Sequence, residues 1–221
     1  MTRSVGERNS RKRLYAIYES LLSEFGPQGW WPTIADGEMK YHPEDYFFPR
    51  TEEERFQIIA GALLTQNTGW KNAEKALLSL NSAQKLSPEK ILSLPLSELE
   101  SLIRPAGYFR QKARRLKSLS KAYLKADEDK DTEELRGHFL SINGVGPETA
   151  DSILLYAYSR PVFVIDAYTR RMCSSLKLFS GKDYEEYRSF FQSNLPPEPE
   201  LFNEFHALIV EWGKRNPKKP I

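Results

Sequence analysis

Cysteine and histidine are scarce in this sequence. Its 221 residues include one cysteine, Cys173, and three histidines. A single cysteine excludes an internal disulfide, and it cannot supply the four ligands of an iron–sulfur cluster. The histidines show none of the spacings that are typical of metal ligands. We therefore expect no metal and no cofactor, and a reducing compartment such as the cytoplasm fits the composition.

Long apolar runs and a large net charge are also missing. No run approaches the roughly eighteen residues that would span a bilayer, and no signal-peptide pattern opens the chain, so we expect no membrane partner. The formal net charge is only +2, so any affinity for nucleic acid must come from local basic clusters. With 40% hydrophobic and 28% charged residues, the chain is expected to be globular, with one large domain or two small ones. We expect a monomer, although no feature of the sequence decides the oligomeric state.

Alternation with period two is absent, whereas apolar residues recur at helical spacing along most of the chain. The sequence therefore predicts an all-α class. Helices are expected over residues 11–25, 51–64, 71–80, 87–94, 97–103, 111–126, 131–142, 167–176, 183–194 and 200–214. Residues 26–50, rich in glycine, proline and aromatics, are too apolar for a disordered linker and predict an ordered loop.

The most informative stretch runs from Leu140 to Arg171. Gly144 and Gly146 lie between two helix-forming runs, where glycine allows one helix to end and the next to begin within a few residues. Pro147 suits the first position of the second helix. The backbone N–H groups of such a turn and helix start face outward, and they bind a phosphate without reading a base.

An acidic residue follows in apolar surroundings. Asp166 comes directly after Val164 and Ile165 and before a helical run. Asp is a preferred N-cap residue, so it could simply begin this helix. A carboxylate in such a place could also stabilise positive charge in a transition state. The residues alone leave both roles open.

The chain resembles the endonuclease III superfamily of DNA glycosylases in an ordered set of residues: Ile142-x-Gly144-Val145-Gly146-x-x-Thr149-Ala150, then Val164-Ile165-Asp166 and Arg170. The resemblance implies two helical domains with the active-site cleft between them. A six-helix barrel would span residues 51–160, with a helix-hairpin-helix motif at 137–158. Residues 1–50 and 161–221 would form the second domain, without an iron–sulfur cluster. The implied partner is damaged double-stranded DNA.

The resemblance also implies roles for individual residues. Asp166 would be catalytic. Gln66 would fill the gap left by a flipped nucleotide, and Tyr108 would insert beside the opposite base; otherwise Gln66 caps a helix and Tyr108 packs on the surface. The carbonyls of Ile142 and Val145 could hold a monovalent cation. The complete implied DNA-binding set is Gln66, Tyr108, Asn143, Gly144, Val145, Gly146, Thr149 and Arg170.

Glu148 bears on the reaction subclass. Superfamily members that also cut the DNA backbone carry a lysine at this place, whose amine attacks the sugar and forms a Schiff base. Glutamate cannot form one. The resemblance therefore implies a monofunctional glycosylase that uses water and leaves an abasic site, without strong lyase activity unless another lysine supplies it.

Further motifs resemble the 3-methyladenine DNA glycosylase III subgroup, which removes alkylated purines. They include Trp30-Trp31-Pro32, residues 64–68, Arg104-Pro105-x-Gly107-Tyr108 and Phe205-His206-x-x-Ile209. By position, Trp30, Trp31 and Trp70 match its aromatic base pocket. An indole face would attract a cationic base by roughly 0.5–2 kcal/mol, whereas ordinary core packing is the alternative for each tryptophan.

One departure keeps the substrate open. The subgroup has a lysine two residues after His206, and this sequence has Leu208. Uracil, mismatched thymine and oxidised guanine are therefore alternative substrates. An alternative of another class is a non-catalytic DNA-binding protein that uses the hairpin only to dock.

A basic run follows the Tyr108 turn. It is either a solvated helix face or, next to a DNA-docking hairpin, a set of phosphate contacts that would make binding salt-dependent. We expect His206 to satisfy a hydrogen bond between domains rather than to act in catalysis, and Cys173 to be a core thiol. The run comprises Arg110, Lys112, Arg114, Arg115, Lys117 and Lys121.

Overall fold

The computed structural model describes residues 5–217, with their side chains from residue 9 onward. Within this range the fold is helical. The α-helices are α1 (Val5–Phe25), α2 (Glu52–Leu64), α3 (Trp70–Ser82), α4 (Pro88–Ser93), α5 (Leu96–Leu102), α6 (Phe109–Tyr123), α7 (Thr132–Leu140), α8 (Pro147–Ser152), α9 (Ala167–Ser175), α10 (Tyr184–Asn194) and α11 (Pro199–Arg215). The predicted all-α class is confirmed.

The helix ends follow the capping residues in the sequence. Thr51 begins α2 with a capping box, in which its side chain accepts from the Glu54 N–H and the Glu54 carboxylate accepts from the Thr51 N–H. Asp131 and Asp183 cap α7 and α10, each with one side-chain acceptor. The observed bounds differ from the predicted ones mainly at α1, which begins at Val5 rather than at residue 11.

A small antiparallel hairpin interrupts the segment predicted as a loop. Strands β1 (Thr33–Ala35) and β2 (Glu38–Lys40) pair with Ile34 opposite Met39. Three-residue strands are too short to show alternation, so periodicity does not reveal them. The Asp36-Gly37 pair, with both residues at positive φ, is the turn signal that could have found the hairpin.

The chain divides into two compact units. The central unit comprises residues 31–41 and 47–160, and the terminal unit comprises residues up to 30, 42–46 and from 161 onward. The sequence places all of residues 1–50 in the terminal domain, whereas residues 31–41 and 47–50 belong to the central unit of the structure. The reason lies in local contacts, because Ile34 donates its N–H to Gln57 of α2 at 2.7 Å and Trp31 packs directly on Gly61.

Each unit has its own core. In the central unit, α2 is buried on every side over residues 56–64, as expected for a helix that is apolar all round. In the terminal unit, α11 packs against α1 and α9, and the rings of Phe163 and Phe191 stack at 4.1 Å. Cys173 is fully buried there, which confirms the predicted core thiol. Among the described residues, no helix is long and apolar enough to cross a membrane.

Candidate active site and nucleic-acid interface

The glycine turn between α7 and α8 has the geometry that its sequence predicts. Gly144 has φ +87°, a left-handed conformation that favours glycine. The Arg115 side chain also packs where a Cβ on Gly144 would lie. Gly146 caps the start of α8 with an extended backbone, and Pro147 occupies the first turn. Gly144 is therefore required by its conformation, whereas Gly146 has an ordinary φ that other residues adopt.

The turn exposes some residues and buries others. Asn143, Gly146 and Glu148 are exposed, whereas Ile142 and Val145 are buried. The Ile142 carbonyl accepts the Val145 N–H at 3.0 Å, and the N–H groups at the start of a helix have no partner within it. The exposed side of the turn therefore offers backbone N–H groups to an anion. A cation at the carbonyls of Ile142 and Val145 stays a prediction.

A buried ion pair joins the two helices of the hairpin. Arg136 of α7 donates from Nε to Oδ1 of Asp151 at 2.6 Å and from Nη2 to Oδ2 at 3.2 Å. Both side chains are buried, so the bidentate geometry satisfies charges that would otherwise be costly. Sequence reasoning missed this pair, because nothing in the local pattern distinguishes Asp151 from an ordinary polar residue of α8.

Asp166 lies at the start of α9, and its two oxygens have different surroundings. Oδ1 accepts from the N–H and Oγ1 of Thr169, at 2.7 and 2.9 Å. Oδ2 lies 3.7 Å from Nε2 of His206, and 13% of the side chain is exposed. The two roles left open by the sequence are therefore compatible, since capping engages Oδ1.

The pKa of Asp166 reflects opposing effects. Burial raises the pKa, whereas His206 and the Thr169 hydrogen bonds lower it and outweigh burial, so the pKa lies below its usual value. The carboxylate is therefore ionised at neutral pH. Sequence reasoning gives His206 a purely structural task, and no spacing in the sequence indicates that it approaches Asp166.

The predicted tryptophans fall into two groups. In the central unit, Trp31 contacts Trp70 at a centroid distance of 5.5 Å and Tyr156 at 5.3 Å, with the rings edge to face in both pairs. Trp31 is buried and Trp70 is half-buried. Trp30 belongs to the terminal unit, where Nζ of Lys214 lies 5.6 Å from its ring centroid. Trp31 and Trp70 thus belong to one aromatic cluster within the central unit.

Comparison with known proteins identifies the family to which this chain belongs. Residues 60–197, more than half of the chain, match the profile of the HhH-GPD superfamily of base excision DNA repair proteins. The chain belongs to the HhH-GPD superfamily. It is 44% identical to a Methanocaldococcus jannaschii protein named as a DNA repair glycosylase, over 94% of this chain and 90% of the relative. An endonuclease III of Sulfolobus acidocaldarius is 31% identical, over 75% of this chain and 76% of that relative.

A solved structure of a DNA glycosylase has a fold similar to that of this chain. The H. pylori 3-methyladenine DNA glycosylase, crystallised with 1,N6-ethenoadenine, superposes with a TM-score of 0.73 and is 28% identical. The match covers 95% of this chain and 99% of that one. The resemblance predicted from the sequence is therefore confirmed, and the protein is a DNA glycosylase of base excision repair that binds DNA.

In this HhH-GPD protein, the two residues predicted to enter the duplex differ in their exposure. Tyr108 precedes α6 in a left-handed conformation, with φ +46°, and 69% of it is exposed. Gln66 lies in the break between α2 and α3 and is half-buried. Its amide donates to the Gly144 carbonyl and to Thr149 of the hairpin. The structure therefore brings Gln66 to the hairpin, which the sequence does not indicate.

Two residues of the basic run face inward, contrary to both interpretations of that run. Lys112 is only 2% exposed and donates to the carbonyls of Leu64 and Ala106, both at 2.8 Å. Burial, followed by the neighbouring Arg115, lowers the pKa of Lys112 to about 8. Lys117 donates to two carbonyls, one in the last turn of α4 and one just after it. The members of the run that remain exposed are Arg110, Arg114 and Lys121.

Three other residues complete the placement. Leu208 is fully buried, so this departure from the subgroup contributes to the core of the terminal unit. The guanidinium of Arg170 stacks over the Tyr187 ring at 4.7 Å. Phe47 is 87% exposed, more than any other large hydrophobic side chain among the described residues. Sequence reasoning missed Phe47, although its run of aromatics, Tyr46-Phe47-Phe48, is a signal in the sequence.

Proposed function

We propose that this HhH-GPD protein is a monofunctional glycosylase that hydrolyses the N-glycosidic bond of alkylated purines, with 3-methyladenine as its principal substrate. It acts on duplex DNA and leaves an abasic site. The observation that carries the proposal is the Asp166 carboxylate, which His206 and Thr169 keep ionised. The protein works as a monomer in the cytoplasm.

The proposed chemistry needs an ionised carboxylate and no acid. Cleavage breaks the bond between C1′ and the purine nitrogen, and the bonding electron pair leaves with the base. A purine alkylated at N3 carries a formal positive charge, so it departs neutral without receiving a proton. Positive charge develops on the sugar, where the Asp166 carboxylate stabilises it or orients the attacking water. Water then adds at C1′ and releases its proton.

The two carboxylate oxygens of Asp166 have different roles in the proposed reaction. Oδ1 is held by Thr169, which fixes the direction of the side chain. We assign Oδ2 to the sugar or the water, since it faces His206 rather than the helix end. Preorganised charge of this kind costs little reorganisation during the reaction.

The hairpin supplies position rather than base choice. Backbone N–H groups at a helix start contact phosphate and set the register of the protein on the duplex without reading sequence. Tyr108 inserts beside the opposite base, as its exposure supports. In this proposal the phosphate contact is formed by the turn and helix start at Asn143, Gly144, Val145, Gly146 and Thr149, with Arg170 as a further phosphate contact. Val145 contributes through the shape of the turn, since its N–H donates to the Ile142 carbonyl.

The aromatic residues hold the extruded base. Indole faces attract a cationic alkylpurine by roughly 0.5–2 kcal/mol, and Trp30, Trp31 and Trp70 are the candidates for this contact, with exposed Phe47 as a fourth. The H. pylori relative is a 3-methyladenine glycosylase, which supports an alkylated purine as the substrate. Because Leu208 replaces a lysine, excision of uracil, mismatched thymine or oxidised guanine is the second candidate; these bases are neutral and would leave as anions, so their release would also need a proton or a hydrogen-bond donor at the base.

The absence of a lysine at residue 148 supports hydrolysis without strand cleavage. Glu148 is exposed in the first turn of α8, and a carboxylate cannot form a Schiff base with the sugar. The non-catalytic alternative accounts for the capping of α9 by Oδ1, but it gives no task to Oδ2, which lies beside His206.

Base release from defined DNA tests the proposal. Methylated duplex DNA is incubated with the protein beside duplexes with uracil, mismatched thymine and 8-oxoguanine, and the released bases are separated by chromatography. We expect release of 3-methyladenine, with strand breaks appearing only after alkali. Release of one of the neutral bases instead would change the substrate, keep Asp166 as the group that stabilises the sugar cation, and require a proton or hydrogen-bond donor for the departing base. Release of no base would favour the docking-only function.

A further inference from the structure

The side-chain amide of Gln66 makes three hydrogen bonds within the central unit. Its Nε2 donates to the Gly144 carbonyl at 2.9 Å and to Oγ1 of Thr149 at 2.8 Å. Its Oε1 accepts from Nη1 of Arg115 at 3.3 Å. A glutamine amide has two N–H donors and a carbonyl oxygen with two lone pairs, so these three contacts use both donors and one of the two acceptor positions.

Two of these partners, Gly144 and Thr149, belong to the hairpin between α7 and α8, and the third, Arg115, belongs to α6. Gly144 is the left-handed glycine of the turn, and Thr149 is a buried residue of α8. Arg115 packs against Gly144 as well as contacting Gln66. The single amide of Gln66 therefore connects the turn with the helix that follows it.

Filling a gap in the duplex would require a different position of the same side chain. An inserted glutamine projects away from the protein, so its amide cannot keep the contacts to Gly144, Thr149 and Arg115. The backbone beside it is fixed, because Lys112 holds the Leu64 carbonyl at the end of α2. Bracing the hairpin and entering the duplex are therefore alternative states of the Gln66 side chain.

We propose that Gln66 is a positioning residue of the DNA-binding hairpin. In the free protein its amide braces the turn for the phosphate backbone, and this bracing operates before any base is extruded. The inference rests on the proposed function of the hairpin as the DNA contact. A gap-filling role alone would make Gln66 matter only after extrusion.

Binding to undamaged duplex separates these two roles. Gln66→Met keeps the side-chain length and removes the amide, and Thr149→Val removes one of its acceptors. Thr149→Val keeps the Thr149 backbone N–H, which is the group proposed to contact phosphate, and removes only the hydroxyl that accepts from Gln66. Each variant should weaken binding to undamaged duplex, measured by fluorescence anisotropy at fixed salt, by about three- to tenfold, as expected for the loss of one or two hydrogen bonds. The double variant should be weakened by less than the product of the two single effects, because both remove the same contact.

Exposed Gln84 provides the matched control, since Gln84→Met makes the same chemical change outside this network. It should bind undamaged duplex as the wild type does. The proposal is overturned if Gln66→Met also binds undamaged duplex normally and loses only the fluorescence increase of 2-aminopurine placed opposite a lesion.

Hydrogen exchange tests the bracing without DNA. The Val145 and Ala150 amides are hydrogen-bonded within the hairpin, to Ile142 and Gly146. Gln66→Met should speed their exchange by about tenfold, whereas Gln84→Met should not. Unchanged exchange in Gln66→Met would overturn the bracing. A wild-type protein that fails to bind duplex would refute the proposed function instead, and the exchange result would still decide the role of Gln66.

Discussion

At the scale of single residues, His206 and Thr169 favour the ionised form of the Asp166 carboxyl group. Its pKa is lowered because His206 and Thr169 outweigh the effect of burial. The stabilisation from this ionised carboxylate is complete above the unfolded-state pKa of about 3.9. It is lost as the pH falls through the lowered folded-state pKa. The acid limb of the excision rate should therefore lie below the usual range of an aspartate.

Replacing His206 should move that acid limb. His206→Gln removes the imidazole beside Oδ2, so the pKa of Asp166 should rise and the excision rate should begin to fall at a higher pH than in the wild type. Single-turnover excision across the acid range measures this, after subtraction of spontaneous depurination. His138, which contacts the Ala122 carbonyl far from this carboxylate in sequence, provides the matched control through His138→Gln. An acid limb that stays in place in His206→Gln would contradict the account of the Asp166 charge.

Glu148 allows a gain-of-function test at the same scale. Glu148→Lys places an amine where lyase members of the superfamily carry one, and the position is exposed at the start of α8. We expect this variant to form a Schiff base that borohydride traps as a covalent complex with DNA, while the wild type does not. Trapping of the wild-type protein would show that another lysine supplies lyase activity and would contradict the monofunctional assignment.

At the scale of structural elements, the hairpin depends on its left-handed glycine. Gly144→Ala should lower the free energy of unfolding by about 1–2 kcal/mol, because an L-residue is disfavoured at φ +87°, and by more if Arg115 cannot move aside. Chemical denaturation measures the change. Gly146→Ala is the control for adding a Cβ to this turn, since a Cβ there meets nothing within 4 Å. It should cost less than Gly144→Ala, because its one penalty is that alanine is a poorer N-cap than glycine. Equal stability of the two variants would contradict the described turn.

The ion pair between α7 and α8 gives a second prediction for this element. Arg136→Met leaves the buried Asp151 carboxylate without its main partner, and breaking such a pair costs about 3–5 kcal/mol of stability. Replacing both residues, as Arg136→Met with Asp151→Leu, should restore much of the loss, because no buried charge then remains. Urea unfolding compares the variants. A single variant as stable as the wild type would show that the pair does not hold the hairpin.

The elements also show what could be predicted from the sequence. Helix starts such as Thr51 and Asp131 are predictable because an N-cap acts on N–H groups two or three residues away. The β1–β2 hairpin is invisible to periodicity, since three residues are too few. The contacts of Gln66 with Gly144 and of Asp166 with His206 join residues far apart in the chain, and no local pattern encodes such pairs.

At the scale of the whole molecule, local signals identify the superfamily but not every boundary. The glycine turn and Asp166 are sufficient to identify the superfamily, because their order and spacing along the chain are specific. The composition of the aromatic segment 26–50 favours a single block within one domain, whereas the structure divides this segment between the two units. That division follows from packing on α2, which the composition of the segment does not reveal.

The central claim is that the Asp166 carboxylate drives release of an alkylated purine. The most direct test compares single-turnover release of 3-methyladenine by the wild type and by Asp166→Asn, with affinity for undamaged duplex measured beside it. Asn is also a good N-cap, so α9 should persist and duplex affinity should stay at the wild-type level. We predict a rate of release lower by about a hundredfold or more. Release by Asp166→Asn at the wild-type rate would contradict the account.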